Sequence, residues 1–304
     1  MTMHTIQTRR ALREDFPRIA DLIADQNRAP ETQCTHSGEG RDSILQVMNK
    51  WEEASEFCFA IALQNGNLVG AFGCEFDEAL GRGWLWGPFA LKDDWAEVAS
   101  ALLDRLLEIL PPSIRRLDGF LHVTNERGRD FYLSHGFEQL KRHHVYVAAR
   151  PREPFRAHEA CHVLESSQRE SFSRLHDTLF PNTYETGESI VAKLDDDHAV
   201  FVHTEGADVV GYIYVAIEDG TEKGYVEFLG VRADARRRGV GRALLLTALK
   251  WLFEAKGVSE VGLAVSDEDT AARALYEGAG FGLRHTGVNL RMARQAGNQR
   301  YAPK

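Results

Sequence analysis

The sequence predicts an α/β protein in which one fold occurs twice, and three pairs of similar segments carry that prediction. The pairs, separated by 141, 142 and 144 positions, are Val69–Gly73 with Val210–Tyr214, Phe89–Leu103 with Val231–Leu245, and Thr124–Phe137 with the segment that ends at Phe281. A nearly constant spacing favours internal duplication. The chain has 304 residues, 43% of them hydrophobic, which is enough for two ordinary domains.

The first copy begins with a helix and ends before a linker. Leu12, Phe16 and Ile19 repeat at helical spacing within Arg9–Arg28. Residues 149–159 contain two prolines among alternating charges, a composition typical of a connection between domains. We therefore assign residues 1–148 to the first domain and residues 160–294 to the second.

The second copy alternates helices and strands. One helix is predicted to end before Pro181, and a second follows it. A third helix is closed by Gly257, and a strand of β-prone residues precedes this third helix. These elements are the helices Leu164–Leu179, Tyr184–Asp195 and Ala243–Phe253 and the strand Tyr225–Val231.

A basic, glycine-containing turn joins that strand to the last helix. Its residues are Arg236, Arg237, Arg238, Gly239, Val240, Gly241 and Arg242. Glycine lets the backbone turn tightly and approach a ligand, and a helix start offers unpaired N–H groups and a partial positive charge. Arginine adds bidentate donors for phosphate. The turn therefore predicts an anion site, most plausibly for a phosphate or pyrophosphate.

Two other phosphate-binding motifs do not fit this turn. A P-loop requires Lys-Ser or Lys-Thr after its last glycine, whereas Arg242-Ala243 stands here. A dinucleotide fingerprint requires a small residue three positions beyond Gly241, where Leu244 stands, and an acid after the next strand, which Glu260 instead precedes.

The turn resembles the acetyl-CoA loop of the GNAT superfamily of N-acyltransferases, whose pattern is Gln or Arg, two residues, Gly, one residue, and Gly or Ala. Arg236, Gly239 and Gly241 fill that pattern. The segment Asp269–Phe281 resembles the later motif of the family, a short helix with Leu-Tyr that ends at Gly-Phe, although Asp269 replaces the usual Asn. The resemblance implies two tandem GNAT folds, each a mixed, mostly antiparallel twisted sheet flanked by helices.

The resemblance also implies the residues of the site, with acetyl-CoA as cosubstrate. The expected acetyl-CoA contacts are Leu229, Val231, Arg236, Arg237, Arg238, Gly239, Val240, Gly241, Arg242, Asp269 and Ala272. Tyr276 stands where the family often has a general acid for the CoA sulfur. Phe180, Tyr184 and Glu188 are candidates for acceptor contacts, with ordinary packing as the alternative.

Glu227 lies on the strand that leads to the loop. Strand alternation places Glu227, Leu229 and Val231 on one face, unless a bulge breaks that parity. The carboxylate could deprotonate an amine, directly or through water, pair with a cationic acceptor, or face solvent. Leu229 and Val231 would supply main-chain contacts to the acyl and pantetheine groups.

The first copy differs where the chemistry should be. Asp94, Glu97 and Ala99 stand 142 positions before Arg236, Gly239 and Gly241, with Asp93 and Trp95 around them. A charge-assisted hydrogen bond to phosphate contributes about 1.5–3 kcal/mol, more than a helix dipole of about 0.3–1 kcal/mol can replace. We expect the first domain to be degenerate, without the usual acetyl-CoA binding or catalysis, and Asn125 and Tyr132 to have structural roles.

Composition bounds the partners. A net charge of −9 argues against general nucleic-acid binding and is compatible with an amine acceptor. No apolar run is long enough for a membrane span. Four cysteines and twelve histidines show no metal-ligand spacing, so no metal is expected, and unpaired cysteines favour a reducing cytosol.

Two functions from different classes remain open. The first is an acetyl-CoA-dependent N-acetyltransferase that acts on a primary amine of a small molecule or peptide, with its active site in the second domain. The second is a non-catalytic acyl-CoA-binding or protein-interaction module. An acceptor site shared by both domains also stays open, and neither the acceptor nor the oligomeric state follows from the sequence.

Overall fold

The protein folds into two compact units. A computed structural model describes residues 6–38, 40–91, 94–151, 160–181, 183–218 and 221–294. The first unit holds the residues up to His143 and those from Thr286 onward, and the second unit is His144–His285. No helix within the described ranges is long and apolar enough to cross a membrane.

In the described residues of the first unit, a sheet is flanked by the helices α1 to α4. Its elements are β1 (Gln7–Arg10), α1 (Phe16–Asn27), α2 (Arg41–Glu53), β2 (Phe57–Gln64), β3 (Asn67–Asp77), β4 (Arg82–Ala90), α3 (Trp95–Ile109), β5 (Arg116–His122), α4 (Glu126–Ser134) and the first part of β6 (Glu138–Ala149).

The second unit repeats this alternation. Its elements are the rest of β6, β7 (Cys161–Val163), α5 (Arg169–Leu179), α6 (Gly187–Lys193), β8 (His198–Glu205), β9 (Asp208–Ile217), β10 (Lys223–Val231), α7 (Val240–Lys250), β11 (Glu260–Ser266), α8 (Thr270–Glu277) and the start of β12 (Gly282–Ala293). A π-helical segment, Trp251–Ala255, extends α7.

In each unit, the strand pairs whose direction is described include a parallel pair and antiparallel neighbours. β4 and β5 run parallel in the first unit, and β10 and β11 run parallel in the second. The antiparallel pairs are β1–β2, β2–β3, β3–β4 and β5–β12 in the first unit and β7–β8, β8–β9 and β9–β10 in the second. The predicted mixed, mostly antiparallel sheets with flanking helices are confirmed.

The compact units are bounded differently from the domains predicted at 1–148 and 160–294. Tyr146 and Ala148 of β6 lie in a hydrophobic core of the second unit, whereas Val288 and Leu290 of β12 lie in the core of the first. Hydrophobic alternation identifies a strand but not the sheet that it joins, which is why the sequence missed this exchange. Of the predicted linker, residues 152–159 lie outside the described residues.

The second unit has a hydrophobic core on each face of its sheet. One core joins Leu244 and Leu249 of α7 with Tyr276 of α8, and the other includes Phe172 of α5 and Phe228 of β10. The two faces therefore carry different helices, α7 and α8 on one and α5 and α6 on the other.

Three predicted helices are shorter than their sequence patterns. The helix predicted over Leu164–Leu179 begins at Arg169, because a 3₁₀ turn, Ser166–Gln168, precedes it. The first helix of the chain begins at Phe16 and not at Arg9, because the buried Asp15 carboxylate accepts hydrogen bonds from the Leu12 N–H and from the Arg9 and Arg18 guanidiniums. These bonds hold a 3₁₀ turn before α1. The helix predicted over Tyr184–Asp195 spans Gly187–Lys193, capped by the Thr186 hydroxyl.

Candidate active site

The turn from β10 to α7 has the geometry expected of an anion site. Arg237 and Gly239 both have positive φ angles, 65° and 85°, and α7 then begins at Val240, three residues before the predicted start. No described side chain caps this helix. The first N–H groups of α7 therefore remain available to a ligand.

Three arginines of the turn each use one N–H group in a hydrogen bond to the protein. Arg236 Nε donates to the Val231 carbonyl at 2.9 Å, Arg238 Nη1 to Glu205 Oε1 at 2.9 Å, and Arg242 Nη1 to the Gly278 carbonyl at 3.2 Å. Each guanidinium has five N–H groups, so most donors are not consumed. The turn combines preset side chains with open amides and four positive charges.

The parallel strands β10 and β11 part next to this turn. Their pairing ends at Val226 and Leu263, whereas β10 continues to pair with β9 on its other side as far as Val231. Between Val226 and Val231, one edge of β10 therefore has no strand partner among the described residues. Its outward N–H and C=O groups can pair with an extended ligand.

The end of β10, the start of α7 and α8 meet at this opening. A side-chain carbon at Gly241 would lie 3.5 Å from Leu275 Cδ2 and 3.7 Å from Val231 Cγ2. Leu229, Val231 and Ala272 pack against the same hydrophobic cluster as Tyr276. The structure thus brings the expected loop, strand and helix contacts together around one opening.

Tyr276 lies inside this cluster, 7% exposed. Its hydroxyl has no hydrogen-bond partner in the described part of the chain, and its ring packs edge-on against Phe281. Burial raises the pKa of Tyr276, so the hydroxyl keeps its proton at neutral pH. Asp269 caps α8 by accepting the Ala272 N–H at 2.9 Å.

Glu227 lies on a β-bulge. The register of β10 against β9 shifts between Val226 and Phe228, and these two side chains pack into cores on opposite faces. Because of the shift, Glu227 does not share the face of Leu229 and Val231, which corrects the parity predicted from simple alternation. The carboxylate instead joins the face that carries α5 and α6.

A tyrosine holds the Glu227 carboxylate. The Tyr184 hydroxyl donates to Glu227 Oε2 at 2.5 Å, and the Tyr184 ring lies 5.2 Å from that of Phe228. Burial raises the pKa of Glu227, while the hydrogen bond from Tyr184 opposes that rise. A carboxylate with a raised pKa in a half-buried position is a better proton acceptor than an ordinary one.

The three predicted acceptor candidates are not equally placed. Phe180 and Tyr184 both pack on Phe228, with ring centroids 5.1 and 5.2 Å away. Glu188 is exposed in the first turn of α6 and makes no hydrogen bond or ion pair within the described residues. The aromatic pair, but not Glu188, therefore lies beside Glu227.

Sequence reasoning missed two residues of this region. Burial raises the pKa of Tyr225, and the electrostatic influence of Glu227, Glu218 and Tyr276 raises it further. His176 is fully buried; its Nδ1 pairs with the Tyr212 hydroxyl at 2.6 Å and its Nε2 with the Glu185 carbonyl at 3.1 Å. Tyr225 sits two positions before Glu227, a signal that could have found it, whereas His176 gave none.

The residues that the structure describes include no group of three or more His, Cys, Asp and Glu side chains able to hold a metal ion. The four cysteines are free thiols. Cys58 and Cys74 face each other across β2 and β3, a proximity that their spacing in the sequence does not reveal.

Comparison with known proteins identifies the class to which this fold and site belong. Residues 159–281 match the acetyltransferase (GNAT) family, a segment that contains the whole site described above. The GNAT resemblance inferred from the two motifs is thereby confirmed for these residues, which form a GNAT acetyltransferase domain.

Individual relatives extend this assignment. A mycothiol acetyltransferase of Propionibacterium freudenreichii subsp. shermanii is 37% identical over 97 residues, which is 31% of this chain and 31% of that protein. The chain thus matches about a third of the length of this curated relative. The similarity supports the GNAT domain.

Solved structures show the tandem fold over the whole chain. A GCN5-related N-acetyltransferase from Sphaerobacter thermophilus has a TM-score of 0.70 at 18% identity and covers 96% of each chain. A tandem GNAT protein from the clavulanic acid biosynthesis pathway has a TM-score of 0.67 at 12% identity, covering 97% of this chain and 100% of that one. The predicted pair of tandem GNAT folds is confirmed.

Proposed function

We propose that the protein is an acetyl-CoA-dependent N-acetyltransferase whose active site lies in the second unit. GNAT proteins use acetyl-CoA as cosubstrate, and it supplies an acetyl group activated as a thioester. The main support for this proposal is that three features lie together: the uncapped start of α7 with its arginine turn, the edge of β10 that lacks a strand partner in the described residues, and the buried Tyr276 side chain.

The residues fit the diphosphate and the pantetheine arm of that cosubstrate. The α7 amides and the guanidiniums of Arg236, Arg237, Arg238 and Arg242 would hold the diphosphate, because oriented N–H donors and cationic forks both favour phosphate. The free edge of β10 at Leu229 and Val231 would bind the amide groups of the arm. Gly239 and Gly241 keep side chains out of this approach.

Glu227 accepts a proton from the acceptor amine, directly or through water. The amine must be neutral to attack, and the raised pKa of the carboxyl group suits a base that works near neutral pH. Tyr276 keeps its hydroxyl proton and donates it to the departing sulfur. Each proton transfer contributes about 10²–10⁴ in rate at most, and positioning of the two substrates supplies a comparable or larger factor.

The acceptor is a primary amine of a small molecule or peptide. Phe180 and Tyr184 provide an aromatic wall and Glu227 a negative charge, a combination that attracts an ammonium group before it is deprotonated. Because relatives are named mycothiol acetyltransferases, and because the tandem layout and Glu227 resemble mycothiol synthase, the amine of a thiol precursor is a narrower form of this proposal. We expect the protein to work in a reducing cytosol.

Release of the free CoA thiol in the presence of acetyl-CoA and a panel of amines tests this function. The panel should contain amino sugars, polyamines, peptides with a free N-terminus, and cysteine-derived amines that carry a thiol. The proposal predicts thiol release that depends on one amine class and is lost in Glu227→Gln. Saturable acetyl-CoA binding without transfer to any amine would instead favour the non-catalytic acyl-CoA-binding or protein-interaction module.

A further inference from the structure

Three arginines of the first unit share a single carboxylate. Asp118 Oδ2 accepts from Arg82 Nε at 2.6 Å and from Arg116 Nε at 2.8 Å, and Asp118 Oδ1 accepts from Arg291 Nε at 2.7 Å. The ladder explains this convergence, because Arg82 pairs with Arg116 across β4 and β5, and Asp118 pairs with Arg291 across β5 and β12. These four residues form the Asp118 cluster.

The charge of the cluster is not balanced. Three guanidiniums and one carboxylate leave two positive charges on the cluster itself; Asp77, opposite Arg82 in the ladder, accepts the Leu80 N–H and forms no ion pair with Arg82 among the described residues. Burial lowers the pKa of Arg82, and the neighbouring Arg116 and Arg291 lower it further. Positive charges held together in a half-buried place repel one another, so the arrangement gains if an anion joins it.

The cluster also has unused donors in a reachable place. Each arginine bonds Asp118 through Nε alone, and none of their terminal Nη groups has a hydrogen-bond partner in the described parts of the chain. The side chains of Arg82, Arg116 and Arg291 are 16%, 31% and 38% exposed. The Arg82 guanidinium lies 4.8 Å above the Trp84 ring, which fixes its plane.

The matching position of the second unit lacks this excess. Lys223 and Glu260 occupy the ladder pair that corresponds to Arg82 and Arg116, and Glu260 also binds Arg284 at 3.1 Å. Glu218 lies close enough to feel both cations. Two cations there meet two carboxylates, so an unbalanced cluster is not a general requirement of this sheet.

We propose that the Asp118 cluster is a binding site for a phosphoryl dianion, of a small organic phosphate or of free phosphate. The charge of the dianion equals the excess of the cluster, and the planar Nη forks match phosphate oxygens. The site uses residues of the first unit alone and none that we assign to acetyl transfer. Asp118 orients the three guanidiniums by holding each Nε.

Broadening of the ³¹P resonance of inorganic phosphate, and separately of glucose 6-phosphate, tests the site. All measurements use the full chain with Arg238→Glu and Arg242→Glu, so that the loop of the second unit contributes no phosphate site. We expect saturable broadening, and we expect the affinity derived from it to fall at least tenfold in Arg291→Gln and in Arg116→Gln. Tighter binding of glucose 6-phosphate would assign the site to an organic phosphate, and equal or tighter binding of phosphate to the free ion.

Arg41→Gln is the matched control, because Arg41 also binds carboxylates in the first unit, at Asp21 and Asp42, but stands outside the cluster. Arg41→Gln should bind both probes with the affinity of the parent, the full chain that carries only Arg238→Glu and Arg242→Glu. Thermal melts verify that each variant is folded, and a poorly folded Arg291→Gln leaves Arg116→Gln to decide. Absence of saturable binding in the parent, or equal binding in both cluster variants, would overturn the proposal.

Discussion

The two units of this protein keep one chain path and differ at the places where the chemistry would occur. Gly211 of β9 faces Val240 and Leu244 of α7, and Gly70 of β3 faces Val98 and Leu102 of α3 in the same way. Relative to these facing residues, α7 begins at Val240 itself, whereas α3 begins at Trp95, three residues before Val98. A helical turn thus replaces the open turn of the second unit.

This additional turn is unsuited to a diphosphate. It contains Glu97 and follows Asp94, and Arg127 of α4 lies 4.5 Å above the Trp95 ring. Asp93 lies outside the described residues. In the first unit, negative charge and an additional helical turn occupy the place of the anion site. In the second unit, the same place has positive charge and exposed amides.

The strand edge and the tyrosine differ in the same sense. Leu229 lies opposite Ile213 in the second unit, and the matching place of the first unit is Gly87–Pro88, opposite Phe72. The Gly87 N–H donates to Cys34 Sγ, the Gly87 carbonyl accepts from the Tyr132 hydroxyl at 2.6 Å, and proline has no N–H. Groups that Leu229 and Tyr276 keep available are internally satisfied in the first unit.

The two units thus share a scaffold and differ in whether its polar groups are satisfied within the protein. Tyr132 is fully buried and hydrogen-bonded, while Tyr276 is nearly buried and has no partner within the described residues. A hydroxyl that lacks a protein partner in one unit alone is expected if that unit binds a ligand that completes its hydrogen bonding.

The largest predicted effect concerns the basic turn between β10 and α7. Arg238→Glu with Arg242→Glu should weaken CoA binding at least a hundredfold, because two charge-assisted hydrogen bonds of about 1.5–3 kcal/mol each become repulsive contacts. Isothermal titration with CoA measures this loss. Asp94→Ala with Glu97→Ala is the matched change in the first unit and should leave the affinity unaltered; the opposite pattern would reverse the roles of the units.

Glu227→Gln should lower kcat/KM by about 10²–10⁴, the usual range for removal of a general base. The pKa of Glu227 is raised by burial, so the wild-type rate should increase as pH rises through that pKa, when the carboxyl group loses its proton. The glutamine variant should lack this rise. Glu170→Gln, an exposed change on α5, is the control, and an unchanged pH–rate profile in Glu227→Gln would exclude the base role.

Tyr276→Phe should reduce kcat about 10–10³-fold with little change in CoA affinity, because the lost hydroxyl acts only when sulfur departs. Tyr132→Phe is its counterpart in the first unit. It should leave turnover unchanged and lower the free energy of unfolding by about 1–3 kcal/mol, since the buried Gly87 carbonyl loses its donor. Steady-state kinetics and denaturant melts measure the pair, and a stable but inactive Tyr132→Phe would contradict the assignment.

The smallest predicted effect is a shift in pH dependence. The Tyr184 hydrogen bond lowers the pKa of Glu227 against the effect of burial. Tyr184→Phe should therefore move the acidic midpoint of the pH–rate profile to higher pH, with a modest loss of rate at neutral pH. A midpoint that moves to lower pH would show that Tyr184 does not stabilise the ionised carboxylate.

Local sequence signals predicted much of the second unit. Gly239 marked the turn because its φ of 85° suits glycine, and the motif within Asp269–Phe281 marked the short helix α8. The sequence left open whether a bulge occurs at Glu227, since a register shift leaves the pattern of polar and apolar residues intact. The Asp118 cluster and the exchange of β6 and β12 depend on pairings between distant strands, which no local pattern encodes.

A crystal structure of the protein with CoA tests the central claim most directly. The account predicts CoA in the second unit, with its diphosphate against the amides of Gly239 to Arg242 and its sulfur beside Tyr276. The first unit should show no CoA at Asp94 to Ala99. CoA found only in the first unit, or bound away from Gly239, would contradict the division between the two copies.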